Sequence, residues 1–284
     1  MTISRSFNSV IFLGNEVYKS SEQTAKIVGE YEHYYAVSDA MRRYLVQPYN
    51  LLFEGSTAGY TTIKHANENA GQLYARQQLN GMDVQKILYA VDRFRASAKT
   101  LKLDKKESRK IIDLYTIKKA SSRTEELREL LPKMADLVDS LSLLNRLEVA
   151  ITTYSHNLEV LAMESHGDLC LSNILLCFDG KVRFIDPRGV ESIWLDEYYD
   201  IAKLSQSFLG EYDYIINDLP VIPKPYIKDM FIGYTARAGM SHQLIVAYEA
   251  SLFISMCPLH ADRPDHVEAF LYKADSLLKQ IGHY

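Results

Sequence analysis

The sequence predicts an α+β fold in two lobes: a small antiparallel-sheet lobe over residues 1–65 and a larger, mainly helical lobe over residues 66–284. Three observations carry this prediction. β-Prone runs and turn signals crowd the first 65 residues. Apolar residues recur at helical spacing over 83–160 and again from 223 onward. Between those two helical regions, residues 165–186 read as a hairpin with polar residues at its open end. The chain has 284 residues, 47% of them hydrophobic and 24% charged, which is ordinary for a soluble globular protein with a sizeable core.

The elements follow in order. Residues 8–13 are β-prone, Gly14-Asn15 is a turn signal, and 16–19 start a second strand. Residues 21–37 read as a helix, with Ser21 and Thr24 as candidate caps and Ile27, Tyr31, Tyr34 and Tyr35 along one face. Residues 44–49 and 59–63 read as two more strands around a loop near Glu54-Gly55-Ser56. Residues 69–79 look helical. Val84, Ile87, Leu88 and Val91 share a helical face, as do Leu127, Leu130, Leu131, Met134, Leu137, Val138 and Leu141. Ser122-x-x-Glu125 has the capping-box pattern, and Pro132 should restart the helix that carries it. Residues 226–235, 241–256 and 264–281 are predicted helices, interrupted at Cys257-Pro258-Leu259-His260.

The chemistry concentrates between residues 165 and 186. The apolar runs 174–178 and 182–185 flank Asp179-Gly180, the strongest short-range hairpin signal. A two-residue loop there would set Phe178 opposite Lys181, Ile174 opposite Ile185 and Asn173 opposite Asp186. Directly opposed side chains stand about 5 Å apart at Cβ. An amide oxygen and a carboxylate at that separation suit Mg2+ held together with phosphate oxygens. Upstream stand His166 and Asp168. The order His-x-Asp-x-x-x-x-Asn, hairpin, Asp is a phosphoryl-transfer arrangement, with Asp168 as proton acceptor and Asn173 and Asp186 as metal ligands.

His166-Gly167-Asp168 with Asn173, and the downstream Tyr199-Asp200-Ile201-Ala202-Lys203-Leu204, resemble the catalytic loop and following helix of the aminoglycoside phosphotransferase and choline kinase-like small-molecule kinases. Asp186-Pro187-Arg188-Gly189 departs from the Asp-Trp or Asp-Phe of many members. It is similar to phosphotransferases associated with bacterial surface polysaccharides. The resemblance implies a protein kinase-like fold and nucleotide-dependent phosphotransfer. Lys19 would sit at the third-strand position, where an ammonium pairs with the α and β phosphates; the other reading is a surface lysine on an edge strand. The first helix would orient that lysine through Glu30, with Glu32 as the other candidate. Ile63 would open the lobe connection, where adenine takes backbone hydrogen bonds. The phosphate-covering loop would fall at Arg5-Ser6-Phe7-Asn8-Ser9, with Ser6 or Ser9 hydroxyls in place of glycines. Asp200 would tie down the catalytic loop. His260 could line the acceptor pocket or merely sit in a connecting loop. Arg188 could capture a phosphate or an acidic acceptor, or form a loop ion pair.

A net charge of −4 gives no whole-chain argument for nucleic acid or an anionic membrane. No apolar run reaches the length of a membrane span. Three cysteines without metal-ligand spacing suggest reduced thiols and a cytoplasmic setting. The expected activity is transfer of the γ-phosphoryl group of ATP or GTP to a hydroxyl of a small molecule, such as a sugar or sugar derivative. An aminoglycoside or aminoalcohol acceptor stays open, with Asp196, Glu197, Tyr198 and Tyr199 as the acids and aromatics it would need. The alternative from another class is a nucleotide-binding regulator without turnover, suggested by the glycine-poor N-terminal loop. The oligomeric state is not readable.

Overall fold

The N-terminal strands form one antiparallel sheet in the order β1-β2-β4-β3: β1 (Asn8–Leu13), β2 (Glu16–Ser21), β3 (Pro48–Glu54) and β4 (Thr57–Ile63). The computed structural model describes residues 8–189 and 192–282. It divides into two compact units, Met1–Thr100 with Met163–Leu195 and Leu101–Ala162 with Asp196–Tyr284.

In the first unit, Gly14 takes a left-handed φ of 62° in the β1-β2 turn, as the Gly-Asn signal required. Helix α1 (Thr24–Ala36) lays Ile27 on Ala58 and Tyr60 of β4. Its N-cap is Gln23 rather than Ser21 or Thr24, and no side chain caps it. The strand expected over 44–49 starts instead at Pro48, after a short helix α2 (Asp39–Arg42) and a single bridge from Leu45 to Phe184. Propensity favoured 44–49, but the Phe184 backbone recruits that segment into a short parallel bridge, exchanging hydrogen bonds with Tyr44 and Val46. A bulge between Tyr49 and Leu52, with Asn50 at φ 52°, bends β3. Asn69 caps α3 (Ala70–Ala75), and Asn80 with Asp83 forms a capping box on α4 (Gly81–Ala96).

The chain passes between the units within three short strands, β5 (Thr100–Lys102), β6 (Leu161–Glu164) and β9 (Trp194–Asp196). The hairpin lies in the first unit as β7 (Ile174–Leu176) and β8 (Val182–Phe184).

The second unit is almost wholly helical. Asp104 and Glu107 form the capping box that starts α5 (Lys105–Asp113). Helix continues through a π-helical turn, Leu114–Lys118, into α6 (Lys119–Leu130). Ser122 is therefore mid-helix and caps nothing, because the chain is already helical when it reaches it. Pro132 does restart the helix, at the first turn of α7 (Pro132–Leu141), which α8 (Leu143–Ser155) follows. After α9 (Tyr199–Phe208) and α10 (Tyr212–Ile216) come α11 (Pro225–Arg237), α12 (His242–Met256) and α13 (Pro264–Ile281). Helix α12 is buried on every side from Leu244 to Met256, so it is the axis around which α6, α8, α9 and α13 pack. Among the described residues, no helix is long and apolar enough to cross a membrane.

Candidate active site

Lys19 is the centre of a buried charged cluster. Register pairs it with Tyr60 across β2 and β4, so the two side chains leave the same face of the sheet. That face carries α1, whose buried positions Ile27, Glu30 and His33 recur every three residues. The Lys19 ammonium lies 2.7 Å from Glu30 Oε2 and 2.9 Å from Asp186 Oδ2. The Tyr60 hydroxyl donates to Glu30 Oε2 at 3.0 Å and reaches Asp186 Oδ1 at 3.4 Å. Lys19 and Glu30 are only 7% and 3% exposed, so each ionised form depends on its partner. Burial alone would lower the Lys19 pKa, but Asp186 and Glu30 outweigh it and hold it above its ordinary value. Burial raises the Glu30 pKa against the pull of Lys19. Burial would raise Asp186 as well, but Lys19 wins there and the carboxyl is held low.

The loop after β6 supplies the second cluster. His166 is fully buried. Its Nε2 donates to Ile185 O at 3.0 Å, while Nδ1 accepts from the Asp168 amide at 3.3 Å. These two bonds need a neutral ring, and burial lowers the His166 pKa to about 4. Gly167 makes the loop possible in two ways. It holds φ at 77°, and a Cβ there would sit 2.7 Å from Arg188 Cβ. Asn173, at the end of a 3-10 turn Leu171–Asn173, spends its amide nitrogen on Asp168, donating to O at 2.8 Å and to Oδ2 at 3.0 Å. Its Oδ1 is thus the atom left to accept a cation or a donor.

The hairpin corrects the expected register. Ile174 pairs with Phe184 and Leu176 with Val182, and Cys177 N donates to Lys181 O. The loop is therefore the three residues Phe178, Asp179 and Gly180, with Gly180 at φ 79°. Asp-Gly serves this wider turn as well as the two-residue one, and Gly fills its left-handed position. Asn173 consequently faces Ile185, whose amide donates to Asn173 O at 3.0 Å, and not Asp186. A one-residue slip alone would turn Asp186 to the other face. The chain re-aims it: Asp186 adopts φ 56°, a strained conformation for a non-glycine residue, and is clamped by Lys19 and Tyr60. His166 feels both carboxylates, Asp168 more strongly than Asp186.

A close backbone contact joins the Asp186 loop to α1. A Cβ on Gly189 would lie 2.5 Å from Glu30 N, and one on Gly29 would lie 2.7 Å from Gly189 Cα. His33 Nδ1 donates to Arg188 O at 3.2 Å in the same contact, and the Arg188 amide donates to His166 O at 2.8 Å. Sequence reading missed Tyr60, His33 and this glycine pair. Only the Tyr60 position had a signal, its place opposite Lys19 once the strand register is known.

The remaining expected residues lie as follows. Ser9 pairs with Ser20 in the β1-β2 ladder. Ile63 ends β4, with its side chain 48% exposed. Residues 1–7, including Ser6, and the loop reading based on them lie outside the described residues. Asp200 is buried in the first turn of α9, in the second unit. His260 stacks edge-on against Phe270 and near His266, also in the second unit. Asp196, Tyr198 and Tyr199 are buried, and the Tyr198 amide donates to Asp196 Oδ1 at 3.0 Å. Glu197 accepts from the Leu161 amide. Of the four, three are thus buried side chains.

No family model matches the sequence, and neither does any curated protein. Solved structures do match. A thermostable mutant of aminoglycoside phosphotransferase APH(4)-Ia, in ternary complex with AMP-PNP and hygromycin B, aligns over 100% of this chain and 94% of its own, with a TM-score of 0.65 at 12% identity. The fold is kinase-like. A glucosamine kinase covers 96% of this chain and 75% of its own, with a TM-score of 0.57 at 14% identity. A candidate fructosamine-3-kinase from Haemophilus somnus 129PT covers 100% and 90%, with a TM-score of 0.56 at 13% identity.

Proposed function

We propose that this chain is a phosphotransferase that moves the γ-phosphoryl group of ATP or GTP to a hydroxyl of a small molecule. The observation that carries the reading is Lys19 held between Glu30 and Asp186, in the same compact unit as an Asp168 oriented by Asn173. Lys19 positions the α and β phosphates. Asp168 orients the acceptor hydroxyl and takes its proton; His166 fixes the loop from which Asp168 projects. Most of the acceleration then comes from positioning and electrostatics. Asn173 Oδ1 and the half-exposed Asp186 carboxylate are hard oxygen donors, and they fit Mg2+. When bound, that ion supplies charge neutralisation on the phosphates. Ser9 and the backbone at Ile63 belong to the nucleotide side. The sheet lobe extends to about residue 65 in this reading.

The acceptor is a sugar or sugar derivative, the class named for the glucosamine kinase neighbour. Arg188, in the same unit as Asp168, is the candidate acceptor contact. An aminoglycoside clamp built from Asp196, Tyr198 and Tyr199 is not supported, because those side chains are buried. Three buried cysteines in the thiol form support a cytoplasmic setting.

The test is ADP release with MgATP over a panel of sugars, aminoalcohols and aminoglycosides. Asp168→Asn should fold, bind MgADP and lose turnover by about 10²-fold or more. Turnover like that of the parent removes Asp168 from the mechanism. MgADP binding with no turnover on any acceptor favours the regulator reading, which the glycine-poor stretch at 5–9 motivates.

A further inference from the structure

A concavity lies in the sheet-bearing unit apart from the Lys19 cluster, and its chemistry is cationic. It has a volume of about 590 Å3, and three guanidinium groups line it: Arg42 at the end of α2, Arg43 just after it, and Arg183 on β8. Asp39 is the one acid in the lining and is already paired with Arg42 at 2.7 Å. Arg183 donates to Arg43 O at 3.3 Å and lies 3.8 Å from Asp179, yet its Nε is buried without a partner. The Arg43 side chain is exposed, and among the described residues no acid pairs with it. His65 adds no fixed charge, since burial and then the Arg183 guanidinium lower its pKa. Among the lining side chains three guanidinium groups thus meet a single carboxylate, so the wall of the hollow is net positive.

Converging arginines suit phosphate, whose oxygens match the guanidinium fork. The Tyr34 ring and the apolar side chains of Leu45 and Ile63 complete the wall and suit a carbon skeleton. The volume falls in the range of small-molecule sites. The hollow is separate from the Lys19 cluster. Tyr49 pairs with Thr61, and Ile63 follows two residues on, so both leave the sheet on the face opposite Lys19 and Tyr60. No member of the Lys19, Glu30, Tyr60, Asp168, Asn173 and Asp186 set lines it.

We propose that this hollow binds a small organic phosphate, a phosphorylated sugar-sized molecule, through Arg42, Arg43 and Arg183. The site stands independently of the phosphotransfer reading. It is tested by calorimetric titration of the full chain at low ionic strength with glucose 6-phosphate, inorganic phosphate and glucose. Glucose 6-phosphate should bind with a dissociation constant below about 1 mM, and at least about tenfold tighter than inorganic phosphate, while glucose gives no heat. Arg43→Glu, an exposed position that leaves the fold alone, should weaken the binding about tenfold or more. Lys19→Met should leave it unchanged, since that lysine belongs to the other face. The proposal is overturned by no binding of glucose 6-phosphate at about 10 mM, by equal affinity for inorganic phosphate, by binding that survives both Arg43→Glu and the Arg42→Ala/Arg43→Ala pair, or by binding lost in Lys19→Met.

Discussion

Gly189→Ala is the sharpest perturbation the fold offers. An added Cβ would stand 2.5 Å from Glu30 N, 2.6 Å from Gly29 C and 2.7 Å from Lys26 O, all of them backbone atoms of α1. Ordinary contact begins near 3.4 Å, so α1 and the Asp186 loop must part by 3.4 − 2.5, or 0.9 Å. Lys19 bridges these two segments, at 2.7 Å to Glu30 and 2.9 Å to Asp186. A displacement of about 0.9 Å lengthens one of those contacts beyond about 3.5 Å, where a hydrogen bond has lapsed. Overpacking of this kind costs about 1–3 kcal/mol. Misplacing a positioning group by about 1 Å costs turnover about 10²-fold. The measurements are the urea midpoint at constant m and MgATP turnover with an accepted hydroxyl. A variant that matches the parent in both would refute the idea that this contact sets the Lys19 geometry. Gly29→Ala, which meets Gly189 Cα at 2.7 Å from the other side, should behave alike.

Tyr60→Phe removes the hydroxyl that serves both Glu30 and Asp186; it should cost about 2 kcal/mol in urea unfolding, and an unchanged midpoint would show that hydroxyl to be idle. His166 has its pKa lowered from 6.5 to about 4, so the unfolded chain binds a proton that the folded chain refuses. Stability from this group is complete above pH 6.5 and declines as pH falls toward 4, by about 3 kcal/mol in all. Proton NMR of the ring should show no titration between pH 8 and 5, and a midpoint above 6 would contradict the assignment. Glu249 has the opposite sign. It is buried in α12 against Ser205, with its pKa raised from 4.5 to about 8. Its penalty is absent below pH 4.5 and grows to on the order of 3–5 kcal/mol as pH rises through 8. Glu249→Gln should thus stabilise the protein at pH 8.5 and do little at pH 4.5, and equal effects at both would be incompatible with a buried ionisation.

How much the sequence disclosed depends on the range over which each signal acts. Lys19, Glu30 and Asp186 were legible from their elements, and they do converge. Local turn chemistry was half legible. Asp179-Gly180 announced a hairpin, but a two-residue and a three-residue loop both want glycine there, so the register slipped by one. Ser122-x-x-Glu125 looked like a helix start, yet Asp104-x-x-Glu107 had already begun the helix. What stayed hidden is contact between distant segments. Nothing near Gly29 says that Gly189, 160 residues away, must lie against it, and the Tyr60 hydroxyl gains its role only when α1 covers β4.

The π-helical turn at Leu114–Lys118 carries an architectural consequence. Five-residue spacing of the backbone bonds adds one residue to an otherwise uniform ladder, and one residue is about 100° of rotation. Excising a single amino acid there would smooth the ladder with α6 still in phase, since the turn already absorbs the extra residue, whereas excising one from the regular turns of α5 would swing α6 about its axis. Ala120, Thr124 and Leu127 would leave the interior, and Lys119 would part from the Tyr199 hydroxyl it now meets at 2.6 Å. The length of the regular helix before this turn is accordingly far less free to drift than that of the turn itself.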